Sequence, residues 1–270
     1  RFKFMKQITD TKERRTIQME ILDIIVDVCE RHNIEYSLAG GTLIGALRHK
    51  GYIPWDDDID LFMMRHDYDR FLAIFNKEQE EKQSPYELLS PEITKDYVYT
   101  FGKVADKRTI MIEDELQDFT IGVYVDIFPI DYVNEEMLAR KVQYKLMHIL
   151  YKIRRCKMIP SCCLKSRLAY YCYRYLPLPL KVINWSQRKY VFRRNPTSLI
   201  CNIHGDYANP SYAFPVEAMQ SFTEAEFEGK QYKIMAGYEE YLKRMYKFHY
   251  MTLPPEDQRY HHSFKAWWKE

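Results

Sequence analysis

Four aspartates, Asp56, Asp57, Asp58 and Asp60, stand in the stretch IPWDDDIDLFM, at the entrance to an apolar run that reads as a buried strand. Like charges this close repel, and a carboxylate taken out of water is costly unless it is paired or holds a cation. Residues two apart in a strand face one side, so Asp58 and Asp60 aim at one point. A third acid, Asp126 in GVYVDIFPID, sits in a predicted strand whose other face carries Val123, Val125 and Ile127. Two carboxylates from one strand and a third from a neighbour form an oxygen cage that suits Mg²⁺, with Mn²⁺ as a substitute. Such a cation neutralises phosphate and activates an attacking hydroxyl. The competing reading is a solvated acidic loop. It accounts for Asp56 and Asp57, which lie on the approach, and poorly for Asp60.

Upstream, Gly40-Gly41-Thr42 leads into a helix. The N–H groups and dipole of a helix start attract phosphate, although the same residues also make an ordinary tight strand–helix turn.

These residues need a scaffold. Asp10 with Glu13 resembles a capping box, and Ile17, Ile21, Ile24, Ile25 and Val28 recur at helical spacing, which predicts a helix over 10–32. A short strand over 35–39, a helix over 43–49 and a strand over 58–63 follow. Tyr68, Phe71, Leu72 and Phe75 mark one side of a helix over 66–77. Strands are expected at 86–89, 97–105, 109–112 and 122–128. From 137 the pattern is helical again, with Val142, Leu146, Ile149, Leu150 and Ile153 on one face. A hairpin (FTEAEFEGKQYKI), a helix near 237–248 and an irregular tail complete the chain. The fold class is α/β, in the α+β sense: a mixed sheet flanked by helices over 1–136, a basic helical lobe over 137–210, and a C-terminal segment over 211–270 that packs back on the core.

The charge is unevenly spread. Residues 137–205 contain 15 Lys and Arg and no Asp or Glu, while the remaining 25 basic residues face 38 acidic ones. An acid-free block of 69 residues points to a polyanion or an anionic membrane face, with Trp185 and the tyrosines of 170–175 at the interface. A merely solvated basic lobe is the plain alternative. Nothing resembles a nucleic-acid recognition motif. The stretch RFKFMKQITDTKERR has no apolar core of a signal peptide, and no apolar run reaches spanning length, so a cytoplasmic chain is expected, peripheral at most to the inner face of the plasma membrane. The six cysteines are expected to be reduced, and Cys156, Cys162, Cys163, Cys172 and Cys201 with His204 lack a paired CxxC zinc spacing.

YSLAGGTLIGALRHKGYIPWDDDIDLFMMRHDYDRF (36–71) resembles the signature of the LicD family of phosphocholine transferases, which is related to fukutin-type ribitol-phosphate transferases and carries a nucleotidyltransferase-type active site. FGKVADKRTIMIE, GVYVDIFPID, FEGKQYKI and YMTLPPEDQRYHH extend the resemblance more loosely. Where the family carries Tyr-Gly-Asp before Tyr-Met, this chain reads YKFHYM. The resemblance implies transfer of phosphocholine from CDP-choline to a hydroxyl of a lipid-linked glycan or teichoic-acid precursor, GalNAc in particular, with CMP leaving. It implies Asp58, Asp60 and Asp126 as Mg²⁺ ligands and Gly40, Gly41 and Thr42 at phosphate. Arg48, His49 and Lys103 are further substrate-binding candidates, each with a structural alternative. Trp55, Tyr97, Tyr99, Tyr124 and Phe128 are candidate rings for the choline ammonium. Two other classes stay open: a nucleotidyltransferase moving NMP, and a non-catalytic polyanion or membrane adaptor.

Overall fold

The structure is a computed structural model that describes residues 5–95, 97–113, 120–159, 167–191, 195–204, 209–246, 250–256, 259 and 264–269. Strand β1 (Gln7–Ile8) leads into helix α1 (Thr11–Arg31), whose buried stripe includes Ile17, Ile21, Leu22, Ile25 and Val28. Asp10 caps α1, its side chain accepting from the Lys12 N–H at 2.9 Å. The reciprocal half of the expected capping box is not made: Glu13 accepts from the indole of Trp268 at 2.8 Å.

Strands β2 (Ser37–Leu38), β3 (Asp60–Met64), β4 (Tyr86–Leu89), β5 (Gly102–Asp106) and β7 (Tyr124–Tyr132) form the central mixed sheet, in the order β2-β3-β7-β5-β4. The β3–β7 pair is parallel and the other neighbours on this path are antiparallel. Helix α2 (Gly40–His49) joins β2 to the Asp-rich loop, and α3 (Arg65–Glu81) follows β3. Tyr68, Phe71, Leu72 and Phe75 are buried as their spacing predicts. The strand expected from Tyr97 begins only at Gly102. Before it, the carbonyl of Tyr97 accepts from the buried guanidinium of Arg154.

Helix α4 (Met137–Met158) packs its buried Tyr144, Met147, Leu150 and Ile153 into a second apolar cluster with Ile183, Cys201, Ile203 and Ala213. Here the predicted face is corrected: Val142 and Leu146 lie on the outside. Arg140 and Gln143 point inward instead, because both find hydrogen-bond partners there, Arg140 at the carbonyls of Asn134, Glu135 and Pro210, and Gln143 at Asn134. Helices α5 (Arg167–Tyr175) and α6 (Leu180–Ser186) continue the lobe into a π-helical turn, Gln187–Val191. Strand β8 (Leu199–Cys201) returns to pair with β7 and with β9 (Phe214–Pro215). Cys162 and Cys163 lie outside the described residues, while Cys29, Cys172 and Cys201 are free thiols.

The hairpin forms as β10 (Phe222–Phe227) and β11 (Lys230–Met235), and α7 (Tyr238–Tyr246) follows it. The tail is not wholly irregular: β12 (Phe264–Trp268) pairs with β1 and with β6 (Thr109–Glu113) in a small separate sheet. Its FKAWW sequence has the aromatic content of a strand; its partners lie more than 150 residues away, which local pattern does not reveal.

Candidate active site

Sheet order sets three charged residues side by side. Asp60, the first residue of β3, is the register partner of Asp126 on β7, and Asp126 is in turn the partner of Lys103 on β5. Lys103 Nζ lies 2.6 Å from Asp126 Oδ1. The strand starts two residues later than expected, at Asp60. The extended chain before it is already tied to the sheet, because the Asp126 N–H donates to the Ile59 carbonyl at 2.9 Å. Ile59 is fully buried while Asp58 and Asp60 are half-buried. The alternation thus puts both carboxylates on the side opposite Ile59.

Helix α2 opens against this cluster. Gly40 has φ +52°, a left-handed conformation that suits glycine, and a Cβ there would stand 2.8 Å from Asp60 Oδ2. A Cβ on Gly41 would stand 2.3 Å from Asp56 Oδ2. The hydroxyl of Thr42 accepts from the Asp60 N–H at 2.9 Å. The two glycines therefore let the positive end of the helix come up to the carboxylates.

Asp56, expected only on the approach, belongs to the cluster. One oxygen from each of Asp56, Asp57 and Asp58 lies within 4.8 Å of the others. Burial first, then the charge of Asp58 and a hydrogen bond with it, raise the Asp56 carboxyl to about 8. Burial also pushes Asp60 well above the carboxylate range, helped by Asp58, Asp126 and Asp56 and opposed by Lys103. Asp57 is different. It is buried against α1, 3.6 Å from Arg14. The signal for Asp56 was present: Asp56, Asp58 and Asp60 alternate, which puts all three on one side of an extended chain.

The donor set is four carboxylates, from Asp56, Asp58, Asp60 and Asp126, with the Lys103 ammonium at Asp126 and the charge of Arg14 felt by Asp58. Such a set cannot stay fully ionised at neutral pH without more positive charge, and its all-oxygen chemistry fits a hard divalent cation. The residues fit the Mg²⁺ expected from the sequence.

Helix α1 holds the Asp-rich loop from behind. Gln18, buried, donates to the carbonyl of Asp57 at 2.9 Å and accepts from the hydroxyl of Tyr52 at 3.1 Å, and Arg15 donates to the carbonyl of Asp56 at 2.8 Å. Sequence reading assigned Gln18 and Arg15 nothing, since their role is to bind backbone and leaves no side-chain motif. Tyr246, from α7, was also missed: burial, then Asp60, Asp56 and Asp58, raise its phenol far above the usual value.

The candidate residues of the chain therefore fall into two sets. Gly40, Gly41, Thr42, Asp58, Asp60, Lys103 and Asp126 come together. Arg48 and His49 lie at the other end of α2. Arg48 donates to the carbonyls of Tyr250 and Thr252 at 2.9 and 3.3 Å, and to the ring of His49 at 2.8 Å. Among the candidate rings, Tyr124 and Tyr99 face the ammonium of Lys103, at 3.4 and 4.5 Å from their centroids, with Phe101 at 5.2 Å. Trp55 faces Arg259 at 4.6 Å, Tyr97 is fully buried, and Phe128 packs tilted against Phe101 with ring centroids 4.2 Å apart.

Residues 33–162 match the family model described as LicD/FKTN/FKRP, nucleotidyltransferase domain. The lipopolysaccharide cholinephosphotransferase LicD of Haemophilus influenzae is 35% identical to this chain over 281 aligned positions, covering 97% of the chain and 99% of that relative. The chain belongs to the LicD family. The human and mouse ribitol 5-phosphate transferases FKRP are each 51% identical over 37 residues, 14% of this chain and 8% of theirs. As a LicD-family protein the chain is a transferase. Its family segment contains all four clustered aspartates, both glycines and Lys103, whereas Tyr246 reaches the LicD-type cluster from outside the matched range.

Proposed function

We propose that this chain transfers phosphocholine from CDP-choline to a hydroxyl of a lipid-linked cell-surface glycan precursor, a teichoic acid or lipopolysaccharide type of acceptor such as one bearing GalNAc, and releases CMP. The observation that carries the reading is the meeting of Asp56, Asp58, Asp60 and Asp126 at the start of α2, in a chain similar along its length to a cholinephosphotransferase. The nucleotide donor places the reaction on the cytoplasmic side.

Asp56, Asp58, Asp60 and Asp126 would hold Mg²⁺, or Mn²⁺ in its place. When bound, the cation supplies charge neutralisation at the diphosphate and lowers the barrier to attack on phosphorus. Gly40 and Gly41 leave space for phosphate oxygens beside the α2 N-terminus, whose dipole favours them. Lys103 draws on Asp126 from the far side and fixes its carboxylate. One carboxylate accepts the proton of the acceptor hydroxyl as its oxygen attacks the choline-bearing phosphorus, and the bond to the CMP oxygen breaks. Arg48 is occupied at the 250–252 segment and is assigned no phosphate here.

The test uses CDP-choline labelled in choline, Mg²⁺ and lipid-linked glycan acceptors, with the wild-type chain and Asp58→Ala. Label on the acceptor, matched by CMP and lost in the variant, supports the proposal. CMP release untouched by the substitution ends it. Nucleoside on the acceptor would make the chain a nucleotidyltransferase, and label accepted from CDP-ribitol in preference would change the head group.

A further inference from the structure

The basic lobe exposes apolar side chains in a pattern that water does not explain. On α4, Leu138, Val142 and Leu146 recur every four residues on the outer face, with Leu138 at 71% exposure, and Lys141 and Lys145 stand beside them. Helix α5 is turned the same way. Its polar contacts point inward, where Arg174 donates to the carbonyl of Cys156 at 3.0 Å and Tyr170 to that of Ile159 at 3.3 Å. Its apolar residues Leu168, Tyr171 and Tyr175 point outward at 73%, 53% and 74% exposure. On α6, Val182 and Trp185 are exposed, with Lys181, Arg188 and Lys189 around them, and the Lys189 ammonium sits 4.8 Å from the indole centroid.

Three helices in succession thus show apolar or aromatic stripes flanked by cations, within a stretch that has no acidic residue. Aliphatic side chains want a non-aqueous phase, Tyr and Trp suit its boundary, and Lys stems lie along it with their charges at the rim. We infer that the outward faces of α4, α5 and α6 dock on an anionic lipid bilayer and sink shallowly into its headgroup layer. Among the described residues no helix is long and apolar enough to cross a membrane, so the contact is peripheral. Not every cation of the block takes part: Arg140 and Arg154 are buried and serve the fold. The functional meaning rests on the proposed lipid-linked acceptor, because docking brings the carboxylate cluster to the surface that carries it; the binding itself does not depend on that reading.

The experiment is cosedimentation of the chain with phosphatidylcholine vesicles containing or lacking phosphatidylglycerol. Binding to the phosphatidylglycerol vesicles, weakened by salt, is expected. Leu168→Ser with Tyr175→Ser, and separately Lys141→Glu with Lys145→Glu, should each weaken it on the order of tenfold or more. The wild type gives a second reading that needs no altered fold beyond one ring: brominated lipids quench its fluorescence, and Trp185→Phe removes most of that quenching. Equal binding to neutral and anionic vesicles, or binding unchanged by both double variants, overturns the inference. So does binding of soluble polyphosphate that matches vesicle binding and ignores the serine variants, which marks a polyanion site, or self-association abolished by them, which marks a contact with a second copy. Vesicle binding without choline transfer leaves this inference standing and removes the reaction; transfer to a soluble acceptor without vesicle binding does the reverse.

Discussion

Asp126 stands between Lys103 and Asp60: its Oδ1 is 2.6 Å from the lysine Nζ on one neighbouring strand, and Asp60 is its register partner on the other. A carboxylate in that position is held from one side by a fixed cation and repelled from the other. The resident lysine thereby aims Asp126, while burial and neighbouring carboxylates raise Asp60 and Asp56. This is the arrangement expected where a second, exchangeable cation is to be bound.

Lys103→Met should destabilise the chain without added metal by about 3–5 kcal/mol, the usual consequence of leaving one half of a buried ion pair behind. Lys103 is 2% exposed, so water cannot replace it. Denaturant titration in EDTA checks this. The double variant Lys103→Met with Asp126→Asn should cost less than the two single changes added together, since the second removes the orphaned charge. Strict additivity would show that the pair does not interact.

Asp60→Asn should lower CMP release by roughly a hundred- to a thousandfold, the scale of losing a main electrostatic group at a reacting phosphate. The same change should raise the melting temperature at pH 8 in EDTA, because it removes a carboxyl that burial and three neighbours disfavour. Activity and stability therefore move in opposite directions. A variant that loses both equally would be a folding defect, and the site assignment would fail.

The metal-free chain should also show a stability that turns with pH in a definable direction. Asp56 titrates at about 8 in the fold, against ~4 for an unfolded aspartate. Between those values the folded state holds the extra proton, so its stability contribution is complete below ~4 and is lost as pH rises toward about 8. Asp131 behaves oppositely. Burial raises it, but Arg65, at 2.6 Å, outweighs burial and holds it at about 2, so its contribution is present above ~4 and lost only as pH falls toward about 2. Urea midpoints in EDTA should decline as pH rises from ~4 toward about 8, and saturating Mg²⁺ should abolish the decline. A midpoint that rises with pH up to 8 without metal contradicts the clustered carboxylates.

The two glycines separate geometry from stability. Gly40→Ala must place a Cβ at φ +52° and 2.8 Å from Asp60, which costs about 1–2 kcal/mol for the backbone alone. Gly41→Ala has no such strain, and helix propensity favours it, but its Cβ displaces the carboxylate of Asp56. Mg²⁺ affinity, read by calorimetry, should fall about tenfold or more in Gly41→Ala at unchanged or improved stability. Unchanged affinity would take Asp56 out of the ligand set.

Much of this was legible because strand periodicity and carboxylate chemistry constrain one another. Asp58 with Asp60, and Asp126 alone in an apolar strand, already pointed to one cluster of carboxylates, and α1 and α3 announced themselves through Ile17 to Val28 and Tyr68 to Phe75. The failures have physical causes too. Val142 and Leu146 read as core because periodicity counts apolar residues and cannot see that Arg140 and Gln143 have better partners inside. Strand β12 was invisible because its pairing with β6 and β1 is decided by tertiary contact. Gln18 left no signal, since a side chain that binds backbone looks like any polar residue in a helix.

Arg48 offers the sharpest choice between a sequence motif and its surroundings. Its place near the glycine turn suggested a phosphate contact, yet its donors serve the carbonyls of Tyr250 and Thr252, and the same stretch of chain carries Arg259 against Trp55 beside the Asp-rich loop. Arg48→Ala should therefore act through that segment: faster amide exchange at 250–252 and a loss of about 1–2 kcal/mol, the worth of charged hydrogen bonds at a half-buried site. Arg48→Lys, which keeps one donor for either carbonyl, should recover part of the protection. The KM for CDP-choline should follow the exchange rate across the two variants. A raised KM with exchange at 250–252 unchanged would return Arg48 to the phosphate.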